Sequence, residues 1–285
     1  VEDRPMMDRW IISSMQSLIK TVNEKMENYY LYEVIPPLMN FVDELTNWYV
    51  RSNRKRFWKE KDENDIDKIN AFKTLHEVLL EFSKSMAPVL PFICEKIYQG
   101  LIEENNESIH YCDYPIADEN LIDKDLEDNI ELAKKVIKSV RNLRVKLKLP
   151  NKQPLNSVKI ITKDKKIEEK LNVISDLIKN EVNLKEVLFD FDVENWISYE
   201  FKPNFKVLGP KLGKQINVLS EYLKNVDENI SNDILQGNGV IVDNLKVSSD
   251  EIDIVLNKKE DNENQDIVDD FSLYLDTSLD ENLIM

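Results

Sequence analysis

The sequence predicts a mainly α protein, a helix bundle followed by a smaller mixed α/β domain. Three observations predict it. Glycine occupies only five of 285 positions while charged residues make up 32%, a balance that favours helices. Apolar residues recur at three- and four-residue spacing through the first 150 residues, the pattern of amphipathic helices. Beyond that point several short runs alternate apolar and polar, as half-buried strands do. The expected domains are therefore residues 1–150 for the bundle and 151–285 for the α/β part.

The elements follow in order. Asp8 to Tyr30 places Trp10, Ile11, Met15, Leu18, Ile19, Val22 and Met26 on one helical face. Pro36-Pro37 opens a second helix, because a first turn tolerates proline, and that helix is expected to end within 59–64. Asp65 is placed to cap a third, with Ile69, Phe72, Leu75, Val78, Leu79 and Phe82 as its stripe. Pro88 and Pro91 stop it. Phe92 to Ile102 reads as a fourth helix, with Ile93, Ile97 and Leu101 inward. Four such helices with short connections describe a bundle.

After an irregular link through His110 and Tyr114, a fifth helix is expected from Asp118 to Leu147. Ser157–Thr162 and Leu184–Phe189 alternate as strands around a helical stretch, 167–179. Trp196–Phe201, Val240–Val242, Lys246-Val247, Ile252–Leu256 and Phe271–Leu275 are further candidate strands. A helix is expected to run up to Val226. Gly237-Asn238-Gly239 is a turn, and the polar run Lys258–Asp266 reads as a loose insertion.

One stretch stands apart from an otherwise acidic chain. Residues 47–58, Asn-Trp-Tyr-Val-Arg-Ser-Asn-Arg-Lys-Arg-Phe-Trp, hold two Trp, three Arg and a Lys. At about 100° per residue, Phe41, Val42, Leu45, Trp48 and Tyr49 form a core stripe. Asn47, Arg51, Arg54 and Trp58 fall on the other side, with Lys55 at their edge. Cations, an amide and an exposed indole suit phosphates and unstacked bases. A second reading needs no ligand: acids at 43–44 and bases near the helix end also suit the helix dipole. Arg56 falls on the apolar side and is expected to snorkel or to pair internally.

The formal net charge of −16 is unevenly spread. Lys134 to Lys170 carries thirteen Lys or Arg against three Asp or Glu, a local +10. Glu221 to the end carries four against seventeen, a local −13. Screening over roughly 8 Å lets a basic patch act on an acidic protein. Within the fifth helix, Lys134, Lys138, Arg141 and Lys148 share a face flanked by Arg144, opposite Val136, Val140, Leu143 and Leu147. A solvated lysine face is the alternative there.

Several function classes are excluded. Two cysteines make no disulfide scaffold, and His110 with Cys112 has no neighbours to complete a zinc set. No run of 18 apolar residues is present to span a membrane. Gly209 to Gln215 departs from a P-loop in its glycine spacing and lacks Ser or Thr after the lysine. No nucleophile elbow, zincin or dinucleotide motif occurs.

The stretch Asn47-Trp48-Tyr49-Val50-Arg51-x-Asn53-Arg54-x-Arg56-Phe57-Trp58 closely resembles the anticodon-binding domain of the isoleucyl-tRNA synthetase family. Supporting phrases are Asp8-Arg9-Trp10, Met86-Ala87-Pro88, Ser108-Ile109-His110-Tyr111, Arg141-x-x-Arg144, Asn180-Glu181-Val182-Asn183 and Lys202-Pro203-Asn204-Phe205. Their order and spacing resemble the cytoplasmic eukaryotic or archaeal type. The resemblance implies a C-terminal piece of a large cytoplasmic ligase that joins isoleucine to its tRNA. ATP and Mg would act in catalytic and editing parts absent from this piece. The start at Val1 and the phrase Leu275-Asp276-Thr277 followed by Leu283 resemble cut ends. No cofactor or metal is expected here.

The resemblance further implies that the bundle holds the anticodon stem-loop of the tRNA for isoleucine. Arg51, Arg54, Lys55 and Lys59 would pair phosphates, Trp58 or Asn53 would meet unstacked bases, and Asn47 shares their face. Arg141, Arg144, Lys146 and Lys148 would extend the basic track. No DNA or membrane partner is expected. A helical scaffold binding protein partners in a synthetase assembly is the alternative.

Overall fold

The computed structural model describes residues 3–58, 65–102, 107–242, 245–260, 262–269 and 271–278. The chain divides into two compact units, Val1–Glu131 and Leu132–Met285. The division falls inside a long helix and not at residue 150, because the second half of that helix makes its polar contacts with the α/β segments.

The first unit is helical. α1 (Met6–Glu27) buries Trp10, Ile11, Met15, Ile19 and Val22, the stripe its spacing predicts. α2 (Ile35–Asp43) carries Pro36 and Pro37 in its first turn. A π-helical segment, Glu44–Val50, continues it, and a short helix, α3 (Arg54–Phe57), follows. The expected end of this helix within 59–64 lies outside the described residues. α4 (Ile66–Met86) starts where Asp65 caps it, its side chain accepting the Lys68 N–H at 3.1 Å. α4 packs on α1 and on α5 (Pro91–Leu101).

Two inward stripes differ from expectation. α4 buries Ala71, Thr74, Val78 and Phe82 and leaves Ile69 and Phe72 largely exposed. α5 turns Cys94 inward and Ile93 and Ile97 outward, and Phe92 is 90% exposed. Polar anchoring decides the face of α5. The Glu95 carboxylate accepts the Ile109 N–H at 2.9 Å, the Ser108 hydroxyl at 3.0 Å and the Gln99 amide at 3.0 Å. Cys112 Sγ lies 3.1 Å from Tyr98 Oη beside it.

That clamp has a pH signature. The Ile109 N–H, aided by Ser108 and Gln99, holds the Glu95 carboxyl below the usual range. A lowered folded-state value stabilises above the unfolded pKa, about 4.3, and that stability is lost as pH falls through the folded value. Glu95→Gln is therefore expected to flatten the acid limb of a urea-midpoint-versus-pH curve. Superimposable acid limbs would rule the clamp out.

α6 (Lys124–Lys146) is preceded by a single 3-10 turn at Glu119–Leu121, so the expected fifth helix starts later than Asp118. In the second unit β1 (Leu155–Ile161) is followed by α7 (Lys165–Val173) and α8 (Ser175–Val182). The predicted single helix breaks at Ile174, whose φ of −118° leaves helical backbone. β2 (Leu184–Asp190) pairs parallel with β1, the arrangement a strand–helix–strand unit produces.

β3 (Ile197–Pro203) leads to α9 (Phe205–Leu212), capped by Asn204 accepting the Lys206 and Val207 N–H groups. α10 (Ile216–Lys224), α11 (Glu228–Leu235) and the hairpin of β4 (Val240–Val242) and β5 (Leu245–Val247) come next. Gly239 abuts the Val247 carbonyl closely enough that a Cβ would collide with it. Phe201, Leu208, Leu219, Leu223, Ile234 and Val247 form one core here. α9 and α11 are helices that the sequence pattern missed.

β6 (Ile252–Lys258) pairs with β3, and β7 (Gln265–Val268) pairs with β8 (Phe271–Asp276). β8 lies antiparallel to β1, so the sheet order is β2-β1-β8-β7. The run expected to be a loose insertion therefore ends in a strand. Gln265 is buried there, donating its amide to the Ser272 hydroxyl at 2.9 Å.

Candidate nucleic-acid interface

The Trp/Arg stretch does not follow one continuous α-helix. Across the π segment the i→i+5 turn is wider than an α turn. Leu45, Tyr49 and Asn53 consequently stay inward at a spacing of four. In an α-helix Asn53 would drift about 120° from Phe41 over twelve residues. The wide turn cancels that drift. Asn53 is 6% exposed, and its amide donates to the Tyr49 carbonyl at 2.8 Å. The expectation that Asn53 meets bases is thus corrected: its polar atoms are spent inside the unit. Trp48, expected in the core, is half-buried.

Arg56 also points inward. Its Nη1 and Nη2 donate to Asp8 Oδ1 at 2.7 Å and Oδ2 at 2.9 Å. Nη1 further donates to Asn53 Oδ1 at 2.9 Å. Its Nε lies 2.8 Å from Asp67 Oδ1, an ion pair poorly aligned for a hydrogen bond. The Tyr49 hydroxyl donates to Asp8 Oδ1 at 2.8 Å. Burial, then the Asp8 charge, pushes the Tyr49 phenol far above its usual range, so it stays a donor. In the sequence Asp8 marks only the start of the first helix and of the phrase Asp8-Arg9-Trp10. Nothing in local spacing signals its partner, which lies 48 residues away.

The outward side carries the rest of the set. Arg51, Arg54 and Lys55 are exposed, and Trp58 is 67% exposed. The Arg54 guanidinium stands 5.1 Å from the Trp58 ring centroid, a cation–π pair on the surface. Asn47 is exposed, with its amide donating to Asp43 Oδ1 at 2.5 Å. Lys59 lies outside the described residues. The geometry therefore brings Arg51, Arg54, Lys55 and Trp58 to the solvent side of one short segment and takes Asn53 away from it.

In the second unit the expected basic track is broken. Arg144 is 1% exposed. Its Nη1 donates to the Pro150 and Gln153 carbonyls, both at 3.0 Å, and its Nη2 to Val182 at 2.7 Å and Asn183 at 3.3 Å. Burial lowers its pKa from the usual arginine value. This guanidinium is a structural tie, and its assignment to an RNA track is corrected. Its planar fork reaches four carbonyls, of which Pro150 and Asn183 also accept the Gln153 and Leu155 N–H groups. Arg141 is half-buried and pairs with Glu181 Oε2 at 2.5 Å. Lys146 and Lys148 are exposed, and Lys148 sits in left-handed backbone, φ 56°, where α6 ends.

Among the described residues, no group of three His, Cys, Asp or Glu is placed to hold a metal ion. Among the same residues no helix is long and apolar enough to cross a membrane.

Residues 8–161 match the family described as the anticodon-binding domain of tRNA ligase. The chain belongs to this family. The match covers the Asp8–Arg56 tie, the Trp/Arg stretch and α6 through β1. The three relatives that follow share the name isoleucine–tRNA ligase. That of Clostridium novyi (strain NT) is 39% identical over 241 residues, which is 83% of this chain and 22% of the relative. That of Clostridium kluyveri is 37% identical over 257 residues, 89% and 24%. That of Treponema denticola is 35% identical over 286 residues, 98% and 26%. The chain spans about a quarter of the length of these relatives.

Proposed function

We propose that this chain is the part of an isoleucine–tRNA ligase that binds the anticodon stem-loop of the tRNA for isoleucine. One observation carries the reading. Arg51, Arg54 and Lys55 share the solvent side of one segment with an indole already paired to a guanidinium, inside a member of the anticodon-binding family. Guanidinium groups bind phosphate oxygens, and an exposed indole offers a face on which an unstacked base can lie. Lys146 and Lys148 are proposed as further phosphate contacts. The joining of isoleucine to tRNA, with ATP and Mg, would belong to other parts of such a ligase, acting in the cytoplasm.

The finer assignment to the cytoplasmic eukaryotic or archaeal type rests on the order of the sequence phrases alone. The relatives quoted above are bacterial and lend it no support. Titrating the chain with isoleucine tRNA and a non-cognate tRNA at low and high salt tests the main reading. A cognate preference with salt-sensitive affinity is expected. Equal, negligible binding of both would favour a scaffold that engages protein partners.

A further inference from the structure

We infer that Asp8 is a positioning residue for the cationic face, an inference that rests on the RNA-binding reading above. α3 is four residues long, too short to hold helical shape without tertiary anchors. Its anchors are visible. Arg56 reaches the buried Asp8 on the first turn of α1, and Phe57 packs edge-on against Tyr49 at 6.2 Å and Phe72 at 5.3 Å. With Arg56 and Phe57 both drawn inward, the residues on the opposite side of the same turn face outward at about 100° per step. Those residues are Arg54, Lys55 and Trp58.

The chemistry requires a carboxylate at position 8. Asp8 is 0% exposed and accepts three hydrogen bonds: two from the Arg56 fork and one from the Tyr49 phenol. Asn53 closes the ring, accepting from Arg56 and donating to the Tyr49 carbonyl. Four side chains thus tie α1, the π segment and α3 together. An asparagine at position 8 would keep the shape, lose the charge and turn an N–H₂ group against the guanidinium or the phenol. The cationic face would then lose its fixed direction without losing any of its own cations.

Asp8→Asn in the 285-residue chain tests this by two readouts. Amide hydrogen exchange at Arg56, Phe57 and Trp58, whose N–H groups bond to Asn53 and Arg54 carbonyls, is expected to accelerate at least tenfold while α1 and α4 stay protected. Affinity for isoleucine tRNA is expected to fall at least fivefold, towards that of Arg54→Ala. Unchanged exchange at the three amides overturns the inference. So does faster exchange with unchanged affinity, when Arg54→Ala itself loses affinity. If Arg54→Ala binds normally, this cationic face is not the RNA contact, and the exchange result alone decides whether Asp8 holds the turn. Should Asp8→Asn unfold the unit, Tyr49→Phe removes one of the three donors, keeps the ion pair and is judged by the same readouts.

Discussion

Arg51→Ala combined with Arg54→Ala is expected to weaken tRNA binding and to flatten its salt dependence, with little change in folding stability. Each phosphate contact contributes about 0.7 to 0.9 to the slope of log affinity against log salt. Losing two should reduce the slope by about 1.4 to 1.8. Both side chains are exposed, so their removal should alter stability by no more than about 0.5 kcal/mol. Arg54→Ala also releases the indole of Trp58 from its cation–π partner, which makes the double variant a test of the whole patch. Filter binding or fluorescence titration at several salt concentrations measures both quantities. An unchanged slope would remove these arginines from the interface, whatever the chain as a whole binds.

Arg144→Met gives the opposite profile. The variant keeps the apolar stem and removes a guanidinium that serves four backbone carbonyls. Each buried carbonyl left without a donor costs about 1–3 kcal/mol. Pro150 and Asn183 keep the Gln153 and Leu155 N–H donors, so the loss falls on the Gln153 and Val182 carbonyls, and about 3 kcal/mol is expected to go from the stability of the Leu132–Met285 unit. Trp196 is the only tryptophan of that unit and reports its unfolding in urea. Arg144→Lys should not rescue it, since one ammonium cannot reproduce a planar fork reaching carbonyls in two segments. A near-native urea midpoint in Arg144→Met would show that the carbonyls find other donors and that the guanidinium is dispensable. Any tRNA affinity lost in this variant should leave the salt slope intact, which separates a structural tie from a phosphate contact.

These two arginines show how far the sequence could be read. Both lie on helices, in cationic neighbourhoods, within phrases that resemble the same family. Spacing alone gave them the same role. Arg54 is outward because the π turn upstream and the Asp8–Arg56 tie set the direction of its segment. Arg144 is inward because α6 ends against Val182–Asn183, 38 and 39 residues along the chain, and the turn at Pro150–Gln153, 6 and 9 residues along it. Asn53 follows the same logic. At an α-helical pitch it leaves the core stripe, and only the wider turn returns it. Apolar spacing puts Ile93 and Ile97 inward, whereas the Glu95 carboxylate, accepting from Ser108 and Ile109, sets which face of α5 docks.

The amino-acid order alone determined the helical class of the first half, the positions of α1, α4, β1 and β2, and the gathering of cations in residues 47–58. All of these are local, settled by periodicity, capping and proline over a few turns. Which of those cations meets solvent was decided by tertiary structure. Asp8 and Arg56, or β1 and β8, meet only when the chain is folded, and a charged group's exposure depends on the partner that arrives opposite it.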